Sequence, residues 1–286
     1  MKQRAQRMLG VCVALGLWVC FATESPAATS QPSSKKAQTI TLSLAHQQPL
    51  TVKAEWSKIT ASSMRFEAYP LYKPFLVNKV AVAKQRYTRN DLQAFLPKRS
   101  VRVGEVWQIE EQQLHRLFLQ FHPNAVMHMH DGGPRGAYAM LRAVSPRYAE
   151  VVVRVHVQFL LGPRIFYTPA QFRGRLVFDR KTQKLAVFQL TVPTERTRNI
   201  DLNVGNLVDA VYVPRMALSG ELPALSKQVW SQQVSMKHVE RVLGQRFYAF
   251  LKIKWMSVSE ALKAARREKK PLHVFTVFGS LDDQSC

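Results

Sequence analysis

From about residue 39 onward, hydrophobic side chains recur mostly at every second position. Thr39 to Leu44 alternates as TITLSL, Leu50 to Trp56 as LTVKAEW, and Val101 to Ile109 as VRVGEVWQI. The alternation is clearest from Ala149 to Leu161 (AEVVVRVHVQFLL). There Val151, Val153, Val155, Val157 and Phe159 share one face, and Arg154, His156 and Gln158 the other. Successive strand side chains point to opposite sides, so this pattern predicts antiparallel strands with one buried and one wet face. Phe172 to Phe178 and Leu185 to Val192 read as two further strands, joined by the polar turn Asp179 to Thr182. One β-rich domain is therefore expected over 39–215.

The period then changes. A Pro- and Ser-containing stretch at 214–228 leads to a short helix expected over 229–243, so 216–245 reads as a helical connection. Phe247 to Trp255 (FYAFLKIKW) is a strand candidate. Ser257 and Glu260 have the spacing of a capping box, in which each side chain satisfies an orphan backbone donor. Val258, Ala261, Leu262 and Ala265 then fall on one helical face. Arg266, Arg267, Lys269 and Lys270 place positive charge where the helix dipole favours it, and Pro271 ends the helix. Leu272 to Phe278 (LHVFTVF) is a short apolar run, as expected of a strand buried in a parallel sheet.

Strand, helix and strand make a βαβ unit, whose functional loop belongs at the carboxyl end of the second strand. That loop is Gly279 to Cys286. The fold class expected is α+β: a β-rich N-terminal domain followed, over 246–286, by the first βαβ unit of a truncated thioredoxin-like domain. One such unit buries too little surface to be stable alone. The domain is therefore expected to continue past residue 286, or to be stabilised otherwise.

Composition adds location and surface. Of 286 residues, 47% are hydrophobic, which excludes an intrinsically disordered chain. Lys2, Arg4 and Arg7 precede an apolar run from Met8 to Ala22 and then small residues at Ala27 and Ala28, the order of a secretory signal. The run is short of the ~20 residues that cross a bilayer as a helix, so residues 1–28 read as an export signal, with an uncleaved anchor as the rival. Residues 29–38 form a polar linker. Removal of the signal takes Cys12 and Cys20 with it, leaving Cys286 as the one remaining thiol of the three cysteines. The expected location is outside the cytoplasm, periplasmic or at an extracytoplasmic membrane face. With 41 Lys and Arg against 19 Asp and Glu, the formal charge is +22. Such a surface attracts anionic lipid or nucleic acid alike. Export disfavours nucleic acid, so an anionic membrane surface is the partner class retained.

The segment Gly279-Ser-Leu-Asp-Asp-Gln-Ser-Cys286, following LHVFTVF, resembles the stretch of the selenoprotein N family that immediately precedes its selenocysteine. Phe121 to Asn124, Gly133-Pro134 with Gly136-Ala137, Phe166 to Phe172, and Val192-Pro193 followed by Arg196 to Asp201 resemble that family as well. The resemblance implies an exported thiol/selenol-disulfide oxidoreductase of thioredoxin-like fold. It implies Cys286 as the resolving residue and a selenocysteine just after it as the nucleophile. Gly279, Asp282, Asp283, Gln284 and Ser285 would form the redox loop. It implies a disulfide-bearing protein or a peroxide as substrate, and no bound cofactor. A UGA codon read as stop would account for the position of Cys286, and the 286-residue product would then be inactive in two-electron exchange. Animal members carry an EF-hand; this chain has no such loop pattern, so a calcium role does not carry over.

Other chemistry is weakly represented. His115, His122, His128, His130 and Asp131 cluster in sequence, and His128 and His130 share a face if that stretch is extended. They are the only metal-ligand candidates, and a solvated loop is the simpler reading, since no C-x-x-C or H-E-x-x-H framework accompanies them. No G-x-S-x-G elbow and no Gly-rich phosphate loop occurs, which disfavours a hydrolase or a nucleotide-cofactor enzyme. Lys98, Arg99 and Arg102 read as a solvated basic face. The alternative to a redox protein is a non-enzymatic β-domain that binds an anionic membrane surface or a protein partner.

Overall fold

The computed structural model describes residues 39–45, 49–63, 80–128, 135–195 and 198–274. The expected signal (1–28), the linker (29–38) and the loop Gly279–Cys286 lie outside the described residues, as does most of the expected strand Leu272–Phe278. Leu272 to Val274, its described part, carry no strand.

The fold is α+β with more strand than helix, built around two antiparallel sheets. The larger runs, edge to edge, through β15 (Gln232–Gln233), β6 (Ala137–Val144), β7 (Tyr148–Val155), β10 (Phe172–Asp179), β11 (Lys184–Thr191), β14 (Met216–Gly220), β1 (Leu50–Trp56) and β3 (Lys84–Tyr87). β4 (Val106–Ile109) pairs with β6 beside β15. The smaller runs through β2 (Ala61–Ser62), β13 (Leu207–Tyr212), β12 (Ile200–Val204), β9 (Ile165–Pro169), β8 (Gln158–Gly162) and β5 (Ala125–Val126). Among the described residues four α-helices accompany them: α1 (Arg89–Leu92), α2 (Glu111–Phe118), α3 (Met236–Phe247) and α4 (Val258–Glu268).

One continuous core joins the inner faces of both sheets and the apolar side of α2. At its centre Trp56 donates from Nε1 to the Tyr167 hydroxyl at 3.0 Å, with Phe159 and Phe121 rings at 5.6 and 6.1 Å. These edge-to-face and tilted contacts suit the ring quadrupoles. The hairpin β10–β11 forms as the alternation predicts, its turn held by Asp179 accepting from the Lys181 and Thr182 amides.

Three expectations are corrected. The predicted strand Ala149–Leu161 is two strands: β7 ends at Val155, and after His156–Val157 the chain enters the smaller sheet as β8. The apolar face is buried throughout, but Arg154, His156 and Gln158 are not wet: they are 5%, 0% and 0% exposed. Gln158 donates to Thr168 Oγ1 at 2.8 Å, and α3 lies over the Arg154 side of β7. A second element covering a sheet face turns a two-sided strand into a fully buried one. Secondly, Thr39–Leu44 and Val101–Gly104 make no extended strands; they meet in the single bridge Ile40–Val101, and β4 begins only at Val106. Thirdly, residue 216 opens β14, a central strand, rather than a helical connection.

Asp201 on β12 is half-buried, with no hydrogen bond to its carboxyl among the described residues. Burial pushes its pKa up from 3.8 to about 6. Because the protonated form is favoured in the folded state, this group's contribution to stability is full below pH 4 and is lost as pH rises through 6. Asp201→Asn is expected to flatten the pH dependence of urea unfolding between pH 4 and 6, and to raise stability above pH 6 by about 1–3 kcal/mol. An unchanged slope over that interval would refute it.

Candidate functional site

The C-terminal segment carries the candidate redox chemistry, and α3 is its anchor. Ser235 caps α3 by accepting from the His238 amide at 3.2 Å. Val239 and Leu243, four apart, pack on Met140 and Val152 of β6 and β7. Phe247, one further turn on, meets the Tyr138 ring edge-on at 5.3 Å. The same spacing explains why Phe247–Trp255 is not the strand its alternation predicts. Phe247 completes the helical stripe, residues Ala249–Lys252 form a 3₁₀ turn, and Gln245 Nε2 donates to the Leu251 carbonyl at 3.1 Å. The described residues therefore do not make the expected βαβ unit, because its first strand is helical and turn structure.

Arg154 joins this helix to the sheet. Its Nε donates to Gln171 Oε1, and its guanidinium stands 5.8 and 5.7 Å from the Phe247 and Tyr248 ring centroids. A cation over two ring faces, at the negative end of a helix dipole, is favourably placed. Gly244 permits the approach, since a Cβ there would lie 3.1 Å from Arg154 Nη1 and 3.0 Å from Leu251 Cδ1.

The predicted helix after Ser257 is present as α4. Ser257 Oγ accepts from the Glu260 amide at 3.3 Å and the Glu260 carboxylate accepts from the Ser257 amide at 3.1 Å, completing the capping box. The Ser257 hydroxyl, donating to the Glu260 carboxylate at 2.8 Å, and the Ser257 amide together hold that carboxyl below the usual range. Lys269 ends the helix in the left-handed region (φ 52°), and its Cα is the last before the Lys270 amide bonds back to the Ala265 carbonyl. No residue of α4 is buried: Val258 is 61% and Leu262 41% exposed, next to exposed Trp255 and Met256. The stripe thus has no partner among the described residues. No helix among them is long and apolar enough to cross a membrane.

Cys286, Gly279, Asp282, Asp283, Gln284 and Ser285 lie outside the described residues, and so does His130. The other histidines are dispersed in role. His115 Nε2 is 2.6 Å from the Ala125 carbonyl, and His122 Nδ1 accepts from the Asn124 amide at 3.2 Å. Burial holds the His122 imidazole below its ordinary pKa. His128 is exposed in a bridge with Arg135. Among the described residues, no group of three or more His, Cys, Asp or Glu could hold a metal. A groove of about 1020 Å³ opens between the Leu42–Leu44 segment, Trp107 and the start of α2, with the Lys98–Glu110 ion pair on its rim. All three cysteines fall outside the described residues, so none figures among the groove's described lining.

The chain is similar to selenoprotein N of Danio rerio and of Mus musculus, each 29% identical over 215 residues, covering 62% of this chain and 38% of the relative. It is also similar to selenoprotein N of Homo sapiens, 26% identical over 262 residues, covering 70% of this chain and 44% of the relative. This is a distant relationship, and the chain spans about two fifths of the length of these relatives. No family model and no solved structure matches it.

Proposed function

We propose that this distant relative of selenoprotein N is an exported thiol/selenol-disulfide oxidoreductase whose redox pair is Cys286 and a selenocysteine at the next position. The observation that carries the reading is the segment Gly279–Cys286, placed after an apolar run and a capped helix in a chain with selenoprotein N similarity over 215 to 262 residues. The unpartnered stripe of α4 supports it, since Val258 and Leu262 are the face such a helix would lay on a redox domain's sheet. The signal-like order of residues 2–28 supports export.

In the proposed cycle a selenolate attacks one sulfur of a substrate disulfide, forming a mixed selenenylsulfide and releasing the other sulfur as thiolate. The Cys286 thiolate then attacks selenium, closing an internal Cys286–selenocysteine bond and releasing the second substrate thiolate. The substrate is reduced by two electrons, the pair is oxidised, and an external dithiol resets it. Asp282 and Asp283 would raise the Cys286 thiol pKa, so a neighbouring positive group or helix N-terminus has to offset them.

The test is radiolabelling. The gene, expressed with its natural downstream sequence in cells fed ⁷⁵Se-selenite, is expected to give a labelled product heavier than 32.7 kDa. An unlabelled product sinks the selenocysteine assignment. The second reading, docking on an anionic membrane, then takes its place, favoured by exposed Trp255, Met256, Val258 and Leu262 beside Lys263, Arg266 and Arg267. That reading requires salt-sensitive sedimentation with anionic vesicles, unchanged by Cys286→Ser.

A further inference from the structure

A cavity of about 390 Å³ lies where α3 crosses the outer face of the larger sheet, far in sequence from the redox loop. Its floor carries four arginines, Arg142, Arg154, Arg173 and Arg175, against two glutamates, Glu150 and Glu240. Their placement follows from the register. Arg173 and Arg175 are two apart on β10 and share a face, and Arg173 stands directly opposite Arg154 of β7. Like charges at directly paired positions cost stability, and a rule broken in this way marks a site built for something other than the fold.

The carboxylates do not use up the donors. Glu150, 4% exposed, accepts from Nε of both Arg142 and Arg175. The Arg175 side chain makes no other hydrogen bond to a described residue and is 48% exposed. Arg173 Nη1 reaches Glu240 at 3.2 Å and Glu195 at 3.5 Å, both exposed partners. Glu240 projects from α3 onto Arg173 and so supplies an internal oxyanion at the cavity wall. An ion pair this exposed is weak and readily exchanged. The other walls are apolar: Val152, Met236, Val239 and Leu243.

We propose that this cavity binds a phosphomonoester-type dianion carrying a compact apolar group, with Arg173 and Arg175 holding the oxyanion and Glu240 as the internal competitor it displaces. A net excess of two positive charges in the lining matches a dianion, guanidinium forks match phosphate oxygens in geometry, and the volume lies in the range of small-ligand pockets. The proposal stands independently of the redox reading.

The test is calorimetry on the full chain at low salt with phenyl phosphate, inorganic phosphate and phenol as probes. Phenyl phosphate is expected to bind more tightly than inorganic phosphate, and phenol not at all. Arg175→Gln, which breaks one hydrogen bond at a half-exposed side chain, is expected to weaken phenyl phosphate by about tenfold or more. Glu240→Gln is expected to tighten it, a result that a merely structural ion pair would not produce. Equal binding of phenyl phosphate by wild type and Arg175→Gln, or weaker binding by Glu240→Gln, overturns the proposal. Co-sedimentation with phosphatidic-acid vesicles, competed by phenyl phosphate, would assign the anion to a lipid headgroup; failure to co-sediment assigns it to a dissolved ester.

Discussion

Gly174→Ala is expected to destabilise the protein by about 1–3 kcal/mol, lowering Tm by about 2–4 °C for each kcal/mol. Gly174 sits mid-strand in β10, between β7 and β11, both of which pair with β10 along its length. A Cβ there would lie 2.1 Å from Val153 Cγ2 and 2.3 Å from Leu190 Cδ2, from opposite sides. Neither neighbour has room to yield: Val153 and Leu190 are both fully buried in the core. A β-branched valine cannot swing one methyl aside without turning the other into the sheet. The glycine is thus a packing requirement, imposed by two flanking side chains rather than by a turn. Urea unfolding followed by circular dichroism is the measurement. Leu190→Ala alone opens a cavity, but combined with Gly174→Ala it should cost less than the sum of the two, because the added methyl occupies space the leucine vacates. A Gly174→Ala variant within about 0.5 kcal/mol of the parent would show that the strands part to admit the methyl.

If the proposed redox cycle holds, Cys286→Ser in the selenium-labelled product is expected to abolish catalytic disulfide reduction while leaving the first chemical step intact. The selenolate would still attack, but with no thiolate beside it the mixed selenenylsulfide would wait for an external thiol. Turnover in an insulin-reduction assay should fall to background, and an adduct with the substrate protein, dissolved by dithiothreitol, should accumulate on non-reducing gels. The unfolding midpoint is expected to be unchanged. Undiminished turnover without the thiol would remove Cys286 from the mechanism. Together with the selenium label, this separates an error about the nucleophile from an error about its resolving partner.

Much of the fold was legible because it depends on local pattern. The hairpin β10–β11 was readable from two alternating runs around Asp179–Thr182, and α4 from Ser257, Glu260 and the stripe Val258–Leu262. The stretch Phe247–Trp255 was misread because two periods compete there. FYAFLKIKW alternates, yet Phe247 also continues the four-residue spacing of Val239 and Leu243, and the docked helix wins because its stripe meets Met140, Val152 and Tyr138. Alternation gains free energy only when a partner strand is at hand.

The candidate sites divide in the same way. The proposed redox segment is a run of consecutive residues, Gly279 to Cys286, and is read from their order alone. The arginine cavity left no such trace. Its residues come from positions 142, 154, 173 and 175, and each alone reads as a solvated charge on a strand's outer face. What the amino-acid sequence determined by itself was the hairpin β10–β11, the strand β1 and the capped helix α4, since period and capping act over a few neighbours. What only the tertiary structure decided was which polar faces are covered and which arginines meet. The docking of α3 on β6 and β7 buried Arg154, and the register of β7 on β10 set Arg173 opposite it. Both outcomes depend on contacts between segments that are distant in the chain, whose free energy no local pattern encodes.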